Sequence, residues 1–327
     1  LDPWVKTARK YKLSVWFRGN LSGWENWFGY GDITPSEHTD KIIEFITQNQ
    51  QLFADGDVFT SCPECENGGE GDPRQTGKAK EYRQFLISEH TQVKKAFNSL
   101  NKNVVTNFYS MNGDVAKLIM DRETTTALGG IVTIDHYVKN PEKLISDIKD
   151  LASKSGGLIV LGEWGAPIPD SHGKMTEKQQ ADWLQTALQL LSKEPSVIGL
   201  NYWTNQGSST ELWDSPQKPK EALSVLTSFY SPKSVEITIK NTTGKPLFAS
   251  INYLGRGFTT DKKGKVNLPW PGYSSALSIN STGYKSLTTD LELKDLTLNL
   301  DPEQKNWWYN LQLLTYRFFK SIMPINK

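Results

Sequence analysis

A chain of 327 residues, 37% apolar and 22% charged, is too apolar for a disordered chain and too polar for a bundle of membrane spans. It is also longer than one core usually serves, so two domains are expected. With 37 Lys and Arg against 36 Asp and Glu, the net charge is +1, which leaves no strong field to draw nucleic acid or another polyanion.

Short apolar runs at 13–17, 58–60, 104–109, 131–134, 158–161 and 197–201 read as strands. Helical patterns at 78–100, 141–154 and 176–193 alternate with them. Thr176 followed by Gln179 has the spacing of a capping box, and Pro141 suits a first helical turn. Apolar strands alternating with helices predict an α/β fold with a parallel sheet covered by helices. Polar residues recur where the strands end, so a (β/α)8-type TIM barrel is expected over residues 1–231 rather than an open sheet. Six strands are two short of eight, and the chain starts at Leu1 rather than Met. The expectation is therefore strands 3 to 8 of a barrel, without its first two βα units.

After Pro232 the pattern shifts to short alternating runs at 235–240, 247–253, 266–268, 276–279, 284–287 and 296–300, broken by Gly, Pro, Asn and Asp. These predict a small all-β sandwich over 232–303. From 304 to 327 the tail carries Trp307, Trp308, Tyr309, Phe318 and Phe319 among Arg317 and Lys320. Two readings stay open: a helix packed back on the protein, which is preferred, or an amphipathic contact with a membrane surface.

Glu163 follows the apolar run 158–161 after a single glycine and precedes Trp164 and Gly165. A charge ending a buried strand is costly unless it has a task or a partner. Eleven tryptophans allow for stacking on the apolar C–H faces of sugar rings as well as for core packing. The only cysteines are Cys62 and Cys65. A zinc site wants about four ligands, and glycines rather than a helix follow the pair, so unpaired buried thiols are favoured.

Leu161-Gly162-Glu163-Trp164-Gly165 resembles the seventh-strand nucleophile motif of the clan A glycoside hydrolases, especially cellulase- and mannanase-like families. Asp135-His136-Tyr137 resembles their sixth-strand segment, and Asn201-Tyr202-Trp203 the eighth, whose Trp floors a sugar subsite. The three occur in the clan's order. The clan's acid/base ends strand four, usually as Asn-Glu-Pro; here the segment is Pro63-Glu64-Cys65-Glu66-Asn67.

The resemblance implies a retaining hydrolase of β-linked oligo- or polysaccharide, with Glu163 as nucleophile and Glu64 as acid/base, Glu66 being the rival. It implies no metal and no cofactor, a carbohydrate as the partner, and an extracellular or cell-surface location. Candidate substrate-binding residues are Trp203, His136, Tyr137, Arg18, Asn20, Trp24, Trp27, Asn67, Asn112 and Asn205, with Tyr137 expected to donate to Glu163. Pro63 in place of the usual Asn leaves a second reading open: a non-catalytic carbohydrate-binding surface protein on the same barrel. The β module resembles carboxypeptidase-regulatory-like sandwiches through segments such as 244–247 and 281–284, which implies a fold and no activity.

Overall fold

The computed structural model describes residues 1–19, 33–68, 71–215 and 218–303. Asn20, Trp24, Trp27 and the tail from 304 lie outside these residues. Two units succeed one another along the chain, residues 1–227 and 228–327.

The first unit contains α1 (Asp2–Lys10), β1 (Trp16–Arg18), α2 (Pro35–Gln48), β2 (Val58–Thr60), α3 (Pro73–Thr76), α4 (Ala79–Ser99) and β3 (Ser110–Asn112). There follow α5 (Gly113–Ile119), α6 (Arg122–Ala127), β4 (Ile131–Asp135), α7 (Pro141–Ser155), β5 (Leu158–Trp164), α8 (Pro169–His172), α9 (Glu177–Ser192) and β6 (Val197–Tyr202). A two-stranded hairpin, β7 (Trp213–Ser215) with β8 (Lys218–Pro219), leads to α10 (Glu221–Tyr230), which crosses into the second unit.

Local chemistry sets the helix ends. Thr34 and Glu37 form a reciprocal capping box on α2, as Thr176 and Gln179 do on α9. On α7, Leu144, Ile148 and Leu151 form one buried stripe, and the helix stops at Gly156, whose φ of 66° is left-handed. Ile159, Val160 and Leu161 of β5 are all buried, as a parallel strand covered on both faces requires.

β3, β4, β5 and β6 pair in chain order, all parallel, and β1 pairs with β2 in the same sense. Among the described residues one parallel bridge, Val58 to Val105, joins the two groups. The third strand lies later than the apolar run 104–109 suggests. Two carbonyls of that run go to side chains instead of a ladder: Thr106 O is 3.2 Å from His90 Nδ1, and the Phe108 carbonyl accepts from Thr60 Oγ1 at 2.5 Å.

The expected barrel is not closed: among the described residues no ladder joins β6 to β1. The sheet is nonetheless strongly curled. Neighbouring strands sit ~4.8 Å apart, so a flat sheet would hold β1 and β5 about 19 Å from each other. Arg18 of β1 is ion-paired with Glu163 of β5, which only curvature can bring about.

In the second unit, β9 (Lys233–Asn241) lies between β12 (Lys265–Trp270) and β15 (Leu296–Leu300). A second sheet has the order β11 (Arg256–Thr259), β10 (Ser250–Tyr253), β13 (Ser275–Asn280) and β14 (Leu287–Leu291). Val235, Ile237 and Ile239 from the first sheet share one core with Ile251, Leu277 and Ile279 from the second. β11 is not evident in the sequence, because Arg256-Gly257-Phe258-Thr259 is short and not apolar. It forms because Leu254 and Gly255, both at positive φ, make the tight turn that returns the chain along β10.

Candidate active site

Three carboxyl groups converge at the ends of three parallel strands. Glu64 follows β2, Asp135 ends β4 and Glu163 lies in β5, and an oxygen from each falls within 4.8 Å of the others. Arg18 fixes two of them. Its guanidinium is ion-paired with Glu163, donates to Asp135 Oδ2 at 2.7 Å, and donates to Ser110 Oγ at 3.0 Å. The set could geometrically hold a cation, but Arg18 already supplies positive charge to Asp135 and Glu163.

The pleat explains which neighbours join the group. Alternate residues of an extended segment face the same way. Asp135 reaches Arg18, and the Tyr137 hydroxyl donates to Glu163 Oε2 at 2.9 Å. Burial, with the charge and hydrogen bond of Glu163, raises the Tyr137 phenol far above its usual range, so it stays a donor. His136, between them, is buried against α7, where Nε2 donates to Asp147 at 2.9 Å. Burial would raise Asp147, but Lys143, His136 and Lys117 outweigh it and bring that carboxyl to about 2. His136 thus braces a helix rather than joining the carboxyl group around Glu163. Gly113 makes room for it, since a Cβ there would fall inside van der Waals contact of the His136 ring.

Asp135 is the residue the sequence reading missed. Its side chain is 2% exposed. Burial, abetted by the charges of Glu163 and Glu64 and opposed by Arg18, raises it to about 8. The Arg18 pair alone would favour the ionised form, yet burial wins, so at neutral pH the carboxyl is largely protonated. Its Oδ1 has no hydrogen-bond partner among the described residues. That oxygen occupies the space a side chain at position 162 would need, which is why glycine precedes Glu163. The signal was available: like Glu163, Asp135 is a charge closing an apolar strand.

Glu66 takes a different place from Glu64. It is buried, accepts from the Asn112 backbone N–H at 2.5 Å and from the Tyr82 hydroxyl at 3.2 Å. Burial raises its carboxyl despite those donors. Glu64 has a left-handed backbone, φ 49° and ψ 47°, and its N–H donates to Ser110 O at 2.8 Å. That reversal is what separates two acids only two residues apart. Cys62 and Cys65 bracket Glu64 as a disulfide, which corrects the expectation of unpaired thiols. A four-residue turn brings their Cα atoms to 5.4 Å, within disulfide reach.

Other candidates are occupied elsewhere. Asn112 Oδ1 caps α5 through Asp114 N at 2.9 Å and accepts from Arg74 at 3.2 Å, so that side chain serves the helix rather than a cleft. Asn205 Oδ1 accepts the Trp213 indole N–H at 2.9 Å. Asn67 is exposed, with its backbone N–H on Glu64 O at 2.9 Å. Trp203, next after β6, leaves 42% of its surface open. Its carbonyl packs on Gly165, where a Cβ would come within 2.7 Å. Gln180 of α9 secures the loops below: its amide donates to the carbonyls of Ala166 and Thr210, both at 2.9 Å.

No family model matches the chain, and no curated protein matches it. Solved structures do. The β-glucuronidase of Ruminococcus gnavus aligns over 71% of this chain and 42% of its own, at 11% identity and a TM-score of 0.51. The endo-β-1,4-mannanase of Cellulomonas fimi aligns over 90% and 80%, at 11% identity and a TM-score of 0.45. The endo-β-1,4-mannanase of Bacillus sp. JAMB-750 aligns over 69% and 67%, at 18% and 0.46. The first of these shows a shared fold. The likeness is one of architecture alone, and the chain spans less than half of the glucuronidase.

Proposed function

We propose that this chain is a retaining glycoside hydrolase acting on a β-linked oligo- or polysaccharide, with Glu163 as nucleophile and Glu64 as acid/base. The separation of those two carboxylates carries the reading. Retaining enzymes hold the pair ~5–5.5 Å apart and inverting ones ~6.5–9.5 Å, to seat a water. Oxygens of Glu64 and Glu163 within 4.8 Å support the former. The fold shared with a β-glucuronidase agrees with the class.

In the first step a Glu163 oxygen forms a bond to the anomeric carbon while the glycosidic C–O bond breaks. Glu64 gives its proton to the departing oxygen. Glu64, now a carboxylate, takes a proton from water, whose oxygen attacks the same carbon and expels Glu163. Arg18 and Tyr137 hold Glu163 in place in the resting state, one by an ion pair and the other by a hydrogen bond. Part of their interaction must relax as the attacking oxygen loses charge to the new bond. Trp203, 42% exposed, is the sugar platform in this reading. The Cys62–Cys65 disulfide supports an extracellular or cell-surface location, since such bonds persist in oxidising compartments.

A panel of β-linked glucans, mannans and aryl glycosides, followed by proton NMR, tests the reading. The first product formed should keep the substrate's β configuration. Release of the α anomer first, or binding of a glycan with no reducing ends released, would reject it, and the latter would favour the carbohydrate-binding alternative.

A further inference from the structure

The Cys62–Cys65 bond belongs to no step of the proposed chemistry, yet it closes a ring whose only other members are Pro63 and the candidate acid. Glu64 is one of four non-glycine residues at positive φ among those described. An L residue does not hold that conformation without restraint. The reversal at Glu64 is what sends its carboxyl toward Glu163 while Glu66 turns to Tyr82 and Asn112.

Restraint comes from three sides. Ser110 O accepts the Glu64 N–H, the Asn67 N–H donates back to Glu64 O at 2.9 Å, and the two cysteines are pinned. Cys62 is 3% and Cys65 2% exposed. The Cys62 sulfur lies within 4.8 Å of His38 and Glu89, themselves bonded at 2.7 Å between α2 and α4. So short a ring removes little chain entropy from the unfolded state compared with a long one. Its effect is therefore local.

We propose that the Cys62–Cys65 disulfide is a positioning device for the acid/base, holding Glu64 in the left-handed turn that aims its carboxyl at Glu163. This rests on the assignment of Glu64 given above.

The test compares the wild-type protein, Glu64→Ala and the double variant Cys62→Ser/Cys65→Ser on two substrates. One is an unactivated disaccharide, whose leaving oxygen needs a proton; the other is a dinitrophenyl glycoside, whose leaving group does not. Alkylation of the unfolded, unreduced wild-type protein should first find no free thiol. The double variant should lose about tenfold or more in kcat/KM on the disaccharide and far less on the activated glycoside, with a displaced alkaline limb in its pH profile. If the variant does not fold, wild-type protein reduced by a dithiol and then alkylated gives the same comparison. That reduction passes two electrons and two protons to the cysteine pair, and the reagent closes its own disulfide.

A Glu64→Ala variant that loses activity equally on both substrates would reject Glu64 as acid and the proposal with it. If Glu64→Ala shows the leaving-group dependence and the cysteine variant matches wild type, only the positioning proposal falls. Two free thiols with one equivalent of zinc, held with His38 and Glu89, would also overturn it.

Discussion

Arg18 and Asp135 meet at 2.7 Å although their strands belong to two separately paired groups, β1 with β2 and β4 with β3 and β5. The same guanidinium holds Glu163, so one residue of β1 organises two acids from the far side of the curve. Burial works against the Arg18 charge, but Asp135, Glu163 and Glu64 together raise its affinity for the proton.

Arg18→Met should therefore be among the most damaging single changes in the site. It removes the shared donor from the buried Asp135 carboxyl and the partly buried Glu163, a loss of about 1–3 kcal/mol for hydrogen bonds to charged groups. Urea unfolding of the variant checks this. Combining it with Asp135→Asn should recover part of the loss, because the two residues are in contact and their effects are not additive. Strict additivity would show that the contact is energetically idle.

Asp135 makes stability depend on pH in a direction opposite to most carboxylates. Its folded value is about 8, against ~3.9 in an unfolded chain. Between those values the folded protein holds a proton that the unfolded chain has released. Stability from this group is thus complete below about pH 4, falls by up to about 1.4 kcal/mol per pH unit, and levels off above about pH 8. Asp135→Asn removes the titration. Compared with wild type, the variant should be relatively more stable at pH 9 than at pH 5, measured by denaturant midpoints. An equal difference at both would mean that Asp135 is ionised throughout.

Gly162→Ala tests the packing behind Glu163. The new methyl would collide with Asp135 Oδ1 and reach 3.0 Å from Thr133 Cγ2. Neither neighbour is free to move, since both lie in a buried strand. A cost of about 1–3 kcal/mol is expected for such overpacking, together with a fall in kcat, because Glu163 follows directly. Thermal unfolding and kinetics on one substrate measure both. An alanine variant with wild-type kcat would show that Glu163 does not depend on that close approach.

Gln180→Leu removes the amide shared by the carbonyls of Ala166 and Thr210. Both carbonyls keep the Tyr202 hydroxyl, at 3.3 and 2.6 Å, so the cost is that of lost hydrogen bonds rather than of unsatisfied acceptors, about 0.5–1.5 kcal/mol each. Because Trp203 stands between those loops in sequence, KM should rise more than kcat falls. The reverse pattern would place the loops in the chemistry itself.

How much could be read beforehand differs from element to element. β2, β4, β5 and the α9 capping box follow from runs and spacings of neighbouring residues, and these lie where the sequence indicates. Strand ends were likewise visible, as charges after apolar runs. What local pattern does not carry is the direction of a side chain once the backbone leaves the extended form. Glu64 and Glu66 would share a face in a strand and are parted by one left-handed residue. The pairing of Asp135 with Arg18 joins positions 117 residues apart and depends on curvature that no window of sequence expresses. The disulfide was missed for a related reason: two cysteines three apart can bond only if the turn between them is tight.

The covalent intermediate offers the most direct test. A 2-deoxy-2-fluoro glycoside with a good leaving group slows the second step more than the first, so the glycosyl-enzyme accumulates. Gluco- and manno-configured reagents should be incubated with the protein, digested and mapped by mass spectrometry. One label per chain, on the peptide and side chain of Glu163, is the expected result. Label on Glu64 or Asp135, or substrate turnover by inversion with no label on any carboxylate, would contradict the account.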